Sequence, residues 1–187
     1  MQRTPSQTVG PFFLDALIHA GDEVVARAGA SAHAKIIIIQ GAVYDGEGAL
    51  VSDAFLEIFD AHDAEKNGAH PPDSTSGSVF TGFGRAATVN EGAFRFTTRY
   101  PAAHADAGMH SAPHLELMIF ARGLLKPLVT RIYFDGDANN ARDAVLNAVP
   151  AARRSTLLAK RATGADNESW TFDVCLQGKD ETVFFEF

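Results

Sequence analysis

The chain has 187 residues, with 16 Lys and Arg against 23 Asp and Glu, a net charge of −7 at neutral pH. That balance lacks the basic face a nucleic-acid binder needs, and a single cysteine, Cys175, excludes a disulfide scaffold. The composition, 46% hydrophobic and 21% charged, is that of a globular protein. With no run near the ~20 apolar residues needed to span a bilayer and no apolar leader behind Met1, a single cytoplasmic domain over residues 1–187 is expected.

Residues 1–34 are expected to form an extended arm crossing a surface, ahead of a strand-rich body over residues 35–187. Pro5 and Pro11 restrict the residues before them and exclude a helix from Thr4 to Pro11. A short helix is predicted from Phe12 to about His19, and the Ala- and Gly-rich stretch 20–34 reads as a loop. Ile36-Ile37-Ile38-Ile39 has no alternation, the pattern of a strand covered on both faces. Asp45 to Gly48 is a turn. Ala54 to Ala61 is a strand, with Leu56 and Ile58 on one side and Glu57 on the other. The polar stretch Asp63–Val79, roughly 15 residues, is longer than a compact domain needs and has two readings, a functional loop or a tolerated surface insertion.

Gly82-Phe83-Gly84-Arg85 lacks the spacing of a phosphate loop and reads as a tight turn feeding Arg85 into a polar contact. Ala93 to Thr97 alternates as a strand. Leu128 to Phe134 alternates in part, with Thr130 an exception on the apolar side. Within the body, helix is confined to residues 138–162, centred on Ala141–Val149, with a basic patch at Arg153, Arg154, Lys160 and Arg161. Phe172–Leu176 and Val183–Phe187, joined by Gly178–Glu181, have a hairpin signature. Seven or eight short strands separated by turns predict an all-β fold, a β-sandwich with an N-terminal arm and a short helical segment.

Candidate chemistry is sparse. None of the seven histidines forms a His-x-x-x-His pair or joins a Cys cluster. On a strand, His114 and Glu116 share a face, a spacing that would let them converge on one cation, and Tyr100 would then supply a third, oxygen ligand. The alternative is that His114, following Pro113, is a hydrogen-bonded structural residue at a strand start. Cys175 sits in mid-strand with no base near it in sequence, and no Gly-x-Ser-x-Gly elbow is present. Two features are more purposeful. Thr8 to Phe13 combines a hydroxyl, a glycine (Gly10) that permits close backbone approach, and a proline (Pro11) that rigidifies the segment. Arg122 follows the apolar run Leu117–Phe120 and Ala121. An arginine at the end of a buried strand needs an anion, for which its planar fork suits a carboxylate, or an intramolecular salt bridge with one of the 23 acids. The residues by themselves reach a candidate small-anion site built from an arm and a strand end.

Several segments, in order along nearly the whole chain, carry a resemblance. They include Thr4 to Pro11, Gly41-Ala42-Val43-Tyr44-Asp45-Gly46, Phe55-Leu56-Glu57-Ile58, Phe83 to Thr88 and Ala112-Pro113-His114. Further on come Ile119 to Gly123, Thr130 to Phe134, Arg153 to Leu157, and Gln177 to Phe187. On these the chain resembles the intradiol ring-cleaving dioxygenases, on the α side of their two-chain members. The resemblance implies a β-sandwich in an α/β hetero-oligomer that cleaves 3,4-dihydroxybenzoate with O2 to 3-carboxy-cis,cis-muconate. It implies a non-haem Fe(III) cofactor held by two tyrosines and two histidines of a partner β subunit, and no metal ligand or catalytic residue in this chain. His114 keeps the first histidine position, but Glu116 replaces the second. Ala64–His70, where one ligand tyrosine would fall, holds none, and Tyr100 stands a few residues ahead of the other position, near Ala103. The implied contribution of this chain is substrate binding through Thr8, Gly10, Pro11 and Arg122. Two alternatives stand beside it: a non-catalytic assembly module of the same fold, its 14 phenylalanines covered by a partner, and a self-sufficient metalloenzyme built on His114, Glu116 and Tyr100.

Overall fold

Alternating β-branched and aromatic residues, which favour a pleated and half-buried surface, make the body a sheet. The computed structural model describes residues 5–10, 12–26, 35–60, 82–88, 92–106, 108–162 and 168–186. The strands are β1 (Ile36–Tyr44), β2 (Phe55–Phe59), β3 (Phe83–Ala87), β4 (Ala93–Arg99), β5 (His104–Asp106), β6 (Met109–Ser111), β7 (His114–Phe120), β8 (Leu128–Phe134), β9 (Leu158–Arg161), β10 (Ser169–Thr171) and β11 (Val174–Cys175). The helices are α1 (Phe13–Leu17) and α2 (Ala144–Ala148), the latter between 3₁₀ turns at Ala138–Arg142 and Ala151–Leu157.

The sheet runs β3-β2-β7-β8-β9-β10, then β1, which pairs with β10 and β11 along one edge and with β4 along the other. β5 and β6 form a separate hairpin. The two free edges, β3 and β4, are joined by the end of the arm. Arg85 N–H donates to the Asp22 carbonyl at 2.9 Å, Val25 N–H to Thr97 at 2.8 Å, and Thr97 N–H to Glu23 at 3.0 Å. This leaves the sheet nearly closed, which satisfies backbone groups that an open edge would expose. Val25 and Ala26 are buried, so this part of residues 20–34 belongs to the body and is not a surface loop.

The inward faces meet in one large cluster, with Ile37, Ile39, Leu56, Ile58, Leu115, Leu117, Ile119, Ile132, Phe134 and Trp170 among its members. A smaller cluster of Ala112, Tyr133, Leu146, Val149 and Leu157 lies under α2 and the second 3₁₀ turn. Thr130 faces the first cluster without penalty because its hydroxyl donates to the Val183 carbonyl at 2.8 Å. Among the phenylalanines whose side chains are described, Phe12 alone is exposed, at 80%, and the others are buried or half-buried within the chain itself. Those phenylalanines, Phe12 apart, are therefore covered without a partner.

Local pattern and tertiary pairing disagree at several points. β1 is fully covered on one face, through Ile37, Ile39 and Val43, and half-covered on the other. It continues to Tyr44 because Gly41 lets the chain pass Phe172, whose carbonyl would collide with any Cβ there. Arg85 lies within β3 and not in a turn, although the polar contact expected of it exists, Nε to Glu57 Oε1 at 2.6 Å. Residues 158–161 are a strand and not helix, since Leu158 and Ala159 register against Tyr133 and Phe134 of β8. The basic patch is correspondingly dispersed: Arg153 pairs with Glu181, Arg154 donates to the Asn147 and Val149 carbonyls, and Arg161 lies over Trp170. The C-terminal hairpin is reduced to contacts between Cys175 and Thr182, after which Phe185 bridges to Val129 instead. The expected loop Asp63–Val79 lies outside the described residues. No helix among the described residues is long and apolar enough to cross a membrane.

Candidate functional site

β7 ends at Phe120, and the chain reverses through a turn closed by Leu124 N–H donating to the Ala121 carbonyl at 3.2 Å. Arg122 and Gly123 are the central residues, and Gly123 takes φ +91°, a conformation that glycine adopts without the steric cost of a Cβ. The arm docks on this turn. Thr8 Oγ1 accepts the Gly123 N–H at 2.7 Å, across 115 residues of sequence, and its hydroxyl lies 3.5 Å from the Ala121 carbonyl. Two features singled out from sequence, Thr8 and Arg122, are thus brought together, one hydroxyl binding the residues on either side of the arginine. Gly10 is exposed, with no heavy atom within 4 Å of where a Cβ would stand. Pro11 lies outside the described residues. Beside the turn, Gln7, Thr8 and Val9 face Phe120, Ala121 and Leu124–Pro127 across a groove of about 290 Å3.

Arg122 has the intramolecular partner that its sequence position left open. Its Nε lies 2.9 Å from Asp53 Oδ2, yet the arginine side chain remains 78% exposed. The pairing follows from sheet register. β2 and β7 are antiparallel with Phe55 opposite Phe120, so two residues further on Asp53 stands opposite Arg122 on the same face. The Phe55 and Phe120 rings stack at 4.4 Å between centroids and 3° between planes, which holds the two strand ends together.

At the other end of β7, His114 and Glu116 do share a face, as their spacing predicts. His114 is 4% exposed, its Nδ1 is 2.8 Å from the Ala112 carbonyl, and its Nε2 has no hydrogen-bond partner. Its ring lies against His104 and Tyr133. Asp143 supports the strand start. Its carboxylate caps α2 through Leu146 N–H at 2.7 Å and accepts Ala112 N–H at 2.8 Å and the Tyr133 hydroxyl at 3.1 Å.

The remaining candidates do not fit a metal ion. Glu116 accepts from Arg131 Nη2 at 3.3 Å, so a guanidinium stands where a bound cation would need the carboxylate. Tyr100 packs on Phe134 and Trp170, whereas His114 packs on Tyr133. Tyr133 and Phe134 are adjacent on β8 and point to opposite faces, so the sheet separates Tyr100 from His114. The Tyr100 hydroxyl donates to Asp137 at 2.8 Å, and burial together with that carboxylate pushes the phenol well above its ordinary range, against release of the proton a ligand tyrosinate must lose. Among the described residues no group of three or more His, Cys, Asp or Glu could hold a metal. Cys175 is half-buried and burial raises its thiol, which counts against a nucleophile.

Asp53 and Arg131 were not legible as site residues. The only signal for either is strand register, which relates residues far apart in sequence and has no local mark.

With this geometry the chain can be set beside known proteins. A family model described as dioxygenase matches residues 8–178. The chain belongs to that family, the intradiol ring-cleaving dioxygenases, which are iron-dependent oxidoreductases. It is 40% identical over 198 residues to the protocatechuate 3,4-dioxygenase alpha chain of Burkholderia cepacia, covering 100% of this chain and 98% of that one. The alpha chain of the Pseudomonas putida enzyme is 36% identical over 204 residues, again covering 100% and 98%. The beta chain from Burkholderia cepacia is more distant, 30% identical over 156 residues, 78% of this chain and 66% of that one. Among solved structures, the dioxygenase domain of a carbohydrate-binding fusion protein from Streptomyces sp. SirexAA-E superposes with a TM-score of 0.59 at 20% identity, over 95% of this chain and 100% of that one.

Proposed function

We propose that the chain is the α subunit of a protocatechuate 3,4-dioxygenase, paired with an iron-bearing β subunit, and that it walls the substrate pocket at their interface. Full-length similarity to two alpha chains, with a separate beta chain as a more distant relative, supports the subunit assignment. The observation that carries the pocket role is the Thr8–Gly123 hydrogen bond, which joins the arm to the turn bearing an exposed arginine. The ferric ion, held by the β subunit, supplies the Lewis-acid and redox chemistry that prepares the catechol for reaction with O2.

What this chain does is bind and orient. The Arg122 guanidinium offers a positive field and a planar donor edge to the carboxylate of 3,4-dihydroxybenzoate. Thr8 holds the arm against the arginine's turn. Gly10 lets backbone approach the ring closely, and Pro11 stiffens the wall. A contact made equally in the bound substrate and the transition state affects KM and leaves the chemical step alone. Arg122→Ala in the assembled α/β enzyme is therefore expected to raise KM for 3,4-dihydroxybenzoate about tenfold with kcat nearly unchanged. An unchanged KM would remove the carboxylate-binding role and leave the chain as an assembly module. The cytoplasmic location expected from the sequence is part of the same proposal and is checked by cell fractionation.

A further inference from the structure

We propose that Asp53 is the positioning residue for Arg122, fixing the direction in which the guanidinium presents its donors to the substrate carboxylate. The inference rests on the pocket role of Arg122 proposed above. Arg122 sits on a turn with a long side chain that is 78% exposed, and Asp53 is its only polar partner among the described residues. The two stand opposite one another in the continued β2–β7 register, so their meeting is built into the strand pairing. Asp53 is itself held from behind. The next residue, Ala54, is fully buried, its N–H donates to Thr88 Oγ1 at 3.0 Å, and its carbonyl accepts from both the Thr88 hydroxyl and the Thr88 N–H at 3.0 Å.

The contact is one-sided in a useful way. A guanidinium has two edges that can take a carboxylate, one formed by Nε with an Nη and one by the two Nη groups. Asp53 lies against Nε at 2.9 Å, leaving the outer Nη edge for a second carboxylate. An ion pair at 78% and 38% exposure is weak in the isolated chain. Its value lies in orientation, and it strengthens where a partner subunit displaces water from the pocket.

The test uses the assembled α/β enzyme. Asp53→Asn, which keeps the shape and removes the charge, is expected to raise KM for 3,4-dihydroxybenzoate about fivefold while kcat changes less than about twofold. With catechol, which lacks the carboxylate, KM is expected to shift much less. Asp53→Glu is expected to recover part of the loss, and in an Arg122→Ala background Asp53→Asn is expected to add nothing, since a residue acting through Arg122 has nothing left to position. The same ordering is expected in the Kd of 4-hydroxybenzoate, a carboxylated monophenol, measured by titration without turnover. A fall in KM would mean that Asp53 competes with substrate, and would overturn the proposal. So would an equal loss on catechol, or effects that add across the double variant. A wild-type complex that does not cleave 3,4-dihydroxybenzoate overturns the proposal together with the function it rests on. A wild-type complex that does, with Asp53→Asn indistinguishable from it, overturns the role of Asp53 alone.

Discussion

Burial holds the His114 ring neutral, drawing it from 6.5 down to about 4, with desolvation outweighing the Ala112 carbonyl, which favours the protonated form. Between about pH 4 and pH 6.5 the unfolded chain binds a proton at this residue and the native chain does not. Its contribution to stability is complete above pH 6.5 and is lost as pH falls through that window. His114→Asn keeps a donor near the Ala112 carbonyl and removes the titration. We expect the variant to lose less Tm than the wild type on acidification from pH 7 to pH 4.5, even if it starts lower; parallel Tm–pH curves would show that another group carries the acid response. Glu116 belongs to the same scale. A carboxylate on a strand two residues from a histidine has the spacing of a metal ligand, and only the Arg131 guanidinium at 3.3 Å shows that its charge is already used.

At the scale of elements, the arm and the β7 turn are connected by one hydroxyl. Thr8→Val removes the acceptor and leaves the Gly123 N–H without it, a loss of about 1 kcal/mol at that contact. The expected result is faster amide exchange at Gly123 and faster proteolysis within the arm, with little change in global stability; Thr8→Ser should restore protection. Unchanged exchange at Gly123 would show that the arm is held elsewhere. How far these elements were legible differs by kind. The strands read well where apolar and polar residues alternate, as in Ala93 to Thr97, because alternation is a local consequence of the pleat. Thr130 reads as an exception only because its partner, the Val183 carbonyl, lies 53 residues away. Leu158–Arg161 looks helical on its own and becomes β9 through parallel pairing with β8, a tertiary preference that overrides a weak local one. Thr8 and Arg122 could be picked out because hydroxyl, glycine and strand-end arginine have chemical meaning at once. Asp53 could not, because an aspartate before a strand is an ordinary turn residue until the strand opposite is known.

At the scale of the whole molecule, the fold places its chemistry-bearing residues unevenly. The His114 end of β7 is sealed, with His114 buried, Glu116 paired to Arg131, and Tyr100 on the far side of the sheet. The Arg122 end is open, with the arm beside it and Leu125, 62% exposed, in the groove between them. On the proposed reading, a chain whose His114 end is closed and whose Arg122 end is open is suited to complete a neighbour's pocket and not to form its own. The direct test is to purify the chain alone and together with the β subunit, and to measure iron content, visible tyrosinate-to-iron absorption and cleavage of 3,4-dihydroxybenzoate in each. Iron, colour and activity are expected in the mixed complex and not in the lone chain; a lone chain that is coloured, iron-loaded and active would contradict the account and return His114, Glu116 and Tyr100 to the centre of it.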